Sequence, residues 1–219
     1  MKKHIVCFGD SNTHGFCADP TDCFDGGNRF NEEERWTCRL QSLLGDGYLV
    51  VEEGLGGRTT CFEDPTEEGL QGLPYITPCL KSHEPVDLLI IMLGTNDCKD
   101  RFCVGAYEIG MAMARLVEKA RCSPCWGGKE PNILVVAPPP IEEGMLKSAV
   151  APIMGKHCVE KSRELAQWYE EQCKLLGAAF LDAGKVGCEF NPVDHMHLTR
   201  KGHAALAQAL SEMVPKLLK

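Results

Sequence analysis

Hydrophobic positions fall into two alternating rhythms along the chain. Short, nearly continuous apolar runs at Ile5–Phe8, Tyr48–Val51, Val86–Leu93, Ile133–Ala137 and Ala179–Leu181 have strand length. Between them the apolar residues recur at helical spacing. Glu32–Leu44 sets Trp36, Leu40, Leu43 and Leu44 on one face and ends at Gly45; Gly69–His83 predicts a short helix. Tyr107–Arg121 carries Ile109, Met113, Leu116, Val117 and Ala120 along one stripe. Glu160–Leu176 and Thr199–Leu218 are helical too, the second with Thr199 as its N-cap.

Five strands alternating with helices predict an α/β fold, a parallel sheet with helices on both faces. No repeat, low-complexity linker or boundary interrupts the alternation, so residues 1–219 are expected to form one domain. Segment 138–158 has the weakest periodicity, and a connection that long is often a functional lid. Ligands of such sheets bind beyond the carboxyl ends of the strands. Residues 9–15, 54–60, 94–98, 138–158 and 183–198 are therefore where chemistry is expected.

Those loops hold a coherent set of groups. The first carries Gly9-Asp10-Ser11-Asn12-Thr13, the second Gly54-Leu-Gly-Gly-Arg58, the third Gly94-Thr95-Asn96-Asp97. Asp194-His195-Met196-His197-Leu198-Thr199 precedes the last helix. A serine hydroxyl is a poor nucleophile at neutral pH and needs an adjacent base. Histidine suits that role, and a carboxylate is needed to fix its tautomer and steady the imidazolium. Asp194 lies three residues before His197, so one turn can deliver both. The oxyanion of acyl transfer needs fixed donors: the Ser11 backbone N–H, a glycine N–H at Gly57 and the Asn96 amide. Each fragment alone reads more readily as a cap, a turn or a surface pair. Their order, each at the carboxyl end of a strand, points to a serine acyl hydrolase.

Composition narrows the field. A formal charge of −8 without a Lys/Arg cluster gives no footprint for nucleic acid or an anionic membrane. No apolar run approaches a transmembrane length, and the four-residue patch near Met1 is too short for a signal peptide. A cytoplasmic location is expected. The thirteen cysteines are then expected to be reduced, and Cys122-Ser-Pro-Cys125 reads better as buried or loop thiols than as a redox or metal pair.

In order and identity these residues resemble the SGNH (GDSL) hydrolase superfamily, whose four blocks are matched by Ser11, Gly57, Asn96 and His197, with Asp194 as triad acid. Arg35-Trp36-Thr37, Glu52-Glu-Gly-Leu-Gly-Gly-Arg-Thr-Thr60, Asp64-Pro-Thr66, Ile90-Ile-Met-Leu-Gly-Thr-Asn-Asp97, Val135-Val-Ala-Pro-Pro-Pro140 and Asp182-Ala-Gly184 look like its arylesterase/acyltransferase (perhydrolase) branch. The resemblance implies a flavodoxin-like three-layer α/β/α sandwich with a five-stranded parallel sheet. It also implies a small-molecule ester as substrate, hydrolysis or acyl transfer without cofactor or metal, and a homo-oligomer. Segment 138–158 differs most from the branch, and three places in the blocks depart from the pattern. Asn12 replaces the leucine after the nucleophile, His14-Gly-Phe16 stands where the branch often has tryptophan, and His195, to which no role is assigned, stands where glycine is usual.

Three rival readings are weighed against this one. The 11–15 loop faintly resembles a flavodoxin phosphate loop, which would make the chain a flavin-binding module. Asp194, His195 and His197 could be part of a metal site, although zinc needs a further ligand and an open position. An α/β-hydrolase expects Gly-x-Ser-x-Gly, and position 13 is threonine.

Overall fold

The strand-length runs pair into one parallel sheet in the computed structural model, which describes residues 2–219. The strands are β1 (Lys3–Gly9), β2 (Tyr48–Gly54), β3 (Leu88–Met92), β4 (Ile133–Ala137) and β5 (Ala179–Asp182), in the order β2-β1-β3-β4-β5. Among the described residues seven α-helices connect and cover them: α1 (Ser11–His14), α2 (Trp36–Leu44), α3 (Gly72–Ser82), α4 (Ala106–Arg121), α5 (Ala151–Met154), α6 (Cys158–Leu176) and α7 (Arg200–Leu217).

Strand side chains alternate between two cores, as a period of two requires. Val6, Phe8, Leu89, Ile91 and Val135 pack with Ile76 of α3, Ile109 of α4 and Leu165 of α6. Ile5, Cys7, Leu88, Ile90 and Val136 pack on the other face with Trp36 and Leu40 of α2 and Leu206 and Leu210 of α7. Both faces of β1, β3 and β4 are thus dry, which is why their sequences read as unbroken apolar runs.

The predicted elements are all present, with boundaries moved by specific partners. The helix expected from Glu32 starts at Trp36. Glu34 instead accepts the N–H groups of Phe24 and Asn31, at 2.8 and 3.1 Å, and residues 32–34 form a turn. The helix expected from Gly69 starts at Gly72, because Thr59 captures the backbone of 70–72. β2 runs three residues beyond Val51, in register with Cys7–Gly9. Thr199 caps α7, accepting the Gly202 N–H at 3.0 Å. All thirteen cysteines are unpaired, Cys125 buried and Cys122 exposed. No helix among the described residues is long and apolar enough to cross a membrane.

Candidate active site

Parallel pairing brings the carboxyl ends of β1, β2 and β3 to one edge. There β1 turns at Asp10 into the single turn of α1. The Asp10 side chain accepts the Asn12 N–H at 2.9 Å and is the N-cap. Ser11 is therefore not the cap, and its hydroxyl is free for another partner. Gly54 makes room for this turn, since a Cβ there would lie 2.1 Å from the His14 nitrogen.

That partner is His197. Its Nε2 lies 2.9 Å from Ser11 Oγ, and its Nδ1 lies 2.6 Å from Asp194 Oδ2. The other oxygen of Asp194 accepts the N–H groups of Met196 and His197, at 3.1 and 3.0 Å. The carboxylate thus holds both the ring and the backbone of its own turn. Burial alone would raise the Asp194 pKa, but these hydrogen bonds and the imidazole charge outweigh it and hold the carboxyl below its ordinary value. A spacing of three residues lets one turn carry both side chains to the same hydrogen bond. The ring of Phe16 backs the imidazole, with centroids 4.5 Å apart.

Gly57 and Asn96 come to the same opening as Ser11 and His197. Gly57 has φ +79°, a left-handed conformation that favours glycine. Asn96 Nδ2 donates one hydrogen to the Arg58 carbonyl at 3.2 Å, leaving the second for the opening. Among the described residues, the backbone N–H groups of Ser11 and Gly57 have no acceptor. The two loops are locked together by Asp97, which accepts the Thr60 N–H at 2.9 Å and the Thr60 hydroxyl. Burial pushes Asp97 up to about 6 against those hydrogen bonds, and does the same to Asp10.

The opening is a cleft of about 240 Å3, mostly apolar in lining. Val150, Ile153 and Met154 from segment 138–158 form one wall, so that segment does bound the site. Met196 and the buried Lys99 complete the lining; Lys99 Nζ is tied to Asp64 at 3.1 Å. None of these five residues was named from the sequence as part of a site. Segments 138–158 and 183–198, expected at the strand ends, contain all of them but Lys99, which lies one residue beyond 94–98.

The remaining departures acquire physical explanations. Asn12 does not line the cleft; it is 2% exposed and bonded to the Met196 carbonyl and the Leu198 N–H. With Thr13 fully buried as well, neither side chain is free to meet a phosphate, as the flavin alternative would require. His195 has φ +58°, a left-handed position that explains why glycine is usual there. Its Nδ1 lies 2.7 Å from Glu142 Oε2, and its ring packs on Gly144. The two histidines thus engage different partners and do not form the ligand pair of the metal alternative.

Comparison with known proteins places the chain in a family. The GDSL-like lipase/acylhydrolase family model matches residues 7–205. An acetylxylan esterase of Xylanibacter ruminicola is 24% identical over 96% of the chain, which spans 42% of that relative's length. A solved aryl esterase of M. smegmatis is 36% identical, covering 99% of this chain and 100% of the other with a TM-score of 0.88. A carbohydrate acetylesterase from Sinorhizobium meliloti is 35% identical over the same shares of both chains, with a TM-score of 0.86.

Proposed function

Since the chain belongs to the GDSL-like lipase/acylhydrolase family, and with it to the carboxylic ester hydrolases, we propose that it is a serine esterase for short-chain esters, using Ser11, His197 and Asp194 as its triad. The observation that carries this reading is the continuous hydrogen-bonded path from Ser11 Oγ through both ring nitrogens of His197 to Asp194.

Ser11 Oγ attacks the ester carbonyl while His197 Nε2 takes its proton. Asp194 keeps the proton of Nδ1 in place and stabilises the imidazolium. The carbonyl oxygen becomes an oxyanion facing the N–H groups of Ser11 and Gly57 and the Asn96 amide. Collapse expels the alcohol, to which His197 returns the proton, and leaves the acyl group on Ser11. Water then repeats the cycle with His197 again as base, releasing the acid. An alcohol or peroxide in place of that water gives acyl transfer or perhydrolysis. The scheme draws on no cofactor or metal.

The small, apolar cleft supports acyl groups of few carbons on aryl, alkyl or other small alcohols. A second reading, an acetylated carbohydrate as substrate, is favoured by the likeness to the acetylxylan esterase and the carbohydrate acetylesterase. The unpaired thiols support a reducing compartment, the cytoplasm, and the implied homo-oligomer belongs to the same proposal. A monomeric mass by light scattering at micromolar concentration would remove the oligomer.

The direct test is hydrolysis of p-nitrophenyl esters of graded acyl length, with and without a competing alcohol. The expected result is a maximum at the shortest acyl groups. A preference for long chains contradicts the assignment. Faster acetate release from acetylated xylo-oligosaccharides than from the aryl acetate would favour the carbohydrate reading.

A further inference from the structure

Three metal-ligating side chains converge outside the serine site. Glu53 is the penultimate residue of β2. Cys79 and His83 stand four residues apart at the end of α3, so they leave the same side of the helix. His83 Nε2 is 2.7 Å from Glu53 Oε1, and the Tyr75 hydroxyl donates to Glu53 Oε2 at 3.3 Å. One ligand atom from each of Glu53, Cys79 and His83 lies within 4.8 Å of the other two. Cys79 is 1% exposed, while Glu53 and His83 reach the surface. Glu53 and Pro78 also line a cleft of about 610 Å3, which leaves an approach from solvent.

We propose that Glu53, Cys79 and His83 bind one divalent ion of borderline softness, Zn2+, with water in the fourth position. Thiolate, imidazole and carboxylate are together a zinc donor set; magnesium and calcium take oxygen alone. Bonds of about 2.0–2.3 Å in a tetrahedron put donor atoms about 3.3–3.8 Å apart. The three groups therefore need side-chain adjustments within their present spread, with the His83–Glu53 hydrogen bond giving way to two bonds to the ion.

The proton balance is explicit. Zn2+ displaces the Cys79 thiol proton to solvent and forms the Zn–S bond, while His83 binds through its neutral nitrogen and Glu53 as carboxylate. Burial, followed by the charge of Glu53, pushes the Cys79 thiol up to about 12, so the ion competes with a tightly held proton and affinity rises with pH. The other charged or titratable groups facing Cys79 are Arg58 and Cys125, and Tyr75 faces Glu53. Arg58 is the one cation among them. Its guanidinium is engaged by the carbonyls of Gly9 and Glu53 and by the Phe8 ring, 4.2 Å away. The inference does not depend on the esterase reading.

The experiment is titration of reduced, chelator-stripped protein with Co2+, followed by displacement with Zn2+. One equivalent of Co2+ should give the near-ultraviolet thiolate charge-transfer band and the visible bands of a tetrahedral ion. Cys79→Ser should abolish the charge-transfer band. Glu53→Gln and His83→Gln should each weaken Zn2+ binding at least about 10-fold. His83 lies at the exposed helix end, so His83→Gln keeps the test available if Cys79→Ser does not fold. Absence of stoichiometric binding overturns the site. So does a charge-transfer band that survives Cys79→Ser, or an affinity unchanged in His83→Gln, because the ion would then sit on another of the thirteen thiols.

Discussion

Asn12 and Leu198 are 186 positions apart and joined by a 2.9 Å hydrogen bond, from the Leu198 N–H to Asn12 Oδ1. Asn12 Nδ2 donates in return to the Met196 carbonyl at 3.1 Å. The residue after Ser11 thus grips the backbone on both sides of His197. The indole of Trp36 holds the Asn12 carbonyl from behind at 3.1 Å. Asn12→Leu leaves both backbone groups buried without a partner, a cost of about 1–3 kcal/mol each before relaxation. It should lower the melting temperature and cut kcat by about 10–100-fold as His197 drifts from Ser11. Unchanged kcat in a folded Asn12→Leu protein would show that the grip does not position the base.

Ser11→Ala should abolish ester hydrolysis and leave stability nearly untouched. Asp10, not Ser11, supplies the cap of α1, so no helix-terminal hydrogen bond is lost. A fluorophosphonate should label the wild type once, at Ser11. Mass spectrometry that finds the label on a different serine refutes the nucleophile.

Asn96→Ala should reduce kcat by about 10²–10³ with little change in KM, because the second amide hydrogen acts on charge that appears only in the transition state. The lost bond to the Arg58 carbonyl is a single one, and Asp97 still holds the two loops together. A rise in KM alone would reassign Asn96 to substrate binding.

His197→Ala should lose several orders of magnitude in kcat, because no other group among the described residues is placed to take the Ser11 proton. His195→Ala should keep most of the rate. Its ring is tied to Glu142, at the start of the segment that walls the cleft, so any effect belongs in KM or acyl preference. The opposite ranking of the two variants would overturn the Asp194–His197 pairing.

His203 gives the fold a built-in acid sensitivity. It is fully buried, accepts the Trp36 N–H at 3.2 Å, and burial pushes its pKa down to about 3. Unfolded, it titrates near 6.5. Below that pH the unfolded chain binds a proton the folded chain refuses, so this contribution to stability declines from about pH 6.5 toward pH 3. The raised pKa values of Asp10 and Asp97 act in the opposite sense, lowering stability as pH rises from about 4 to 6. His203→Leu should be less stable at pH 7, because Trp36 loses its acceptor, yet lose less on acidification. Urea unfolding of both proteins at pH 7 and pH 5 measures this; equal pH-dependent losses would deny His203 the role.

What the sequence determined by itself was the architecture and the chemistry of the blocks. Strand and helix periods follow from which side chains must avoid water, and a sheet buried on both faces writes that requirement as unbroken apolar runs such as Leu88–Met92. Asp194 and His197 were legible as a pair because they share one turn. Only the tertiary structure decided what depends on contacts distant in sequence. The capture of Met196 and Leu198 by Asn12 has no local pattern. The wall formed by Val150, Ile153 and Met154 is ordinary apolar sequence until segment 138–158 folds against Ser11. The helix expected at Glu32 begins at Trp36 because Glu34 accepts the Phe24 N–H, ten residues back, and the Asn31 N–H, while Arg35 reaches Glu52, 17 residues on. A local period records burial and backbone preference, whereas these features arise from partners that meet only once the sheet has brought its strand ends together.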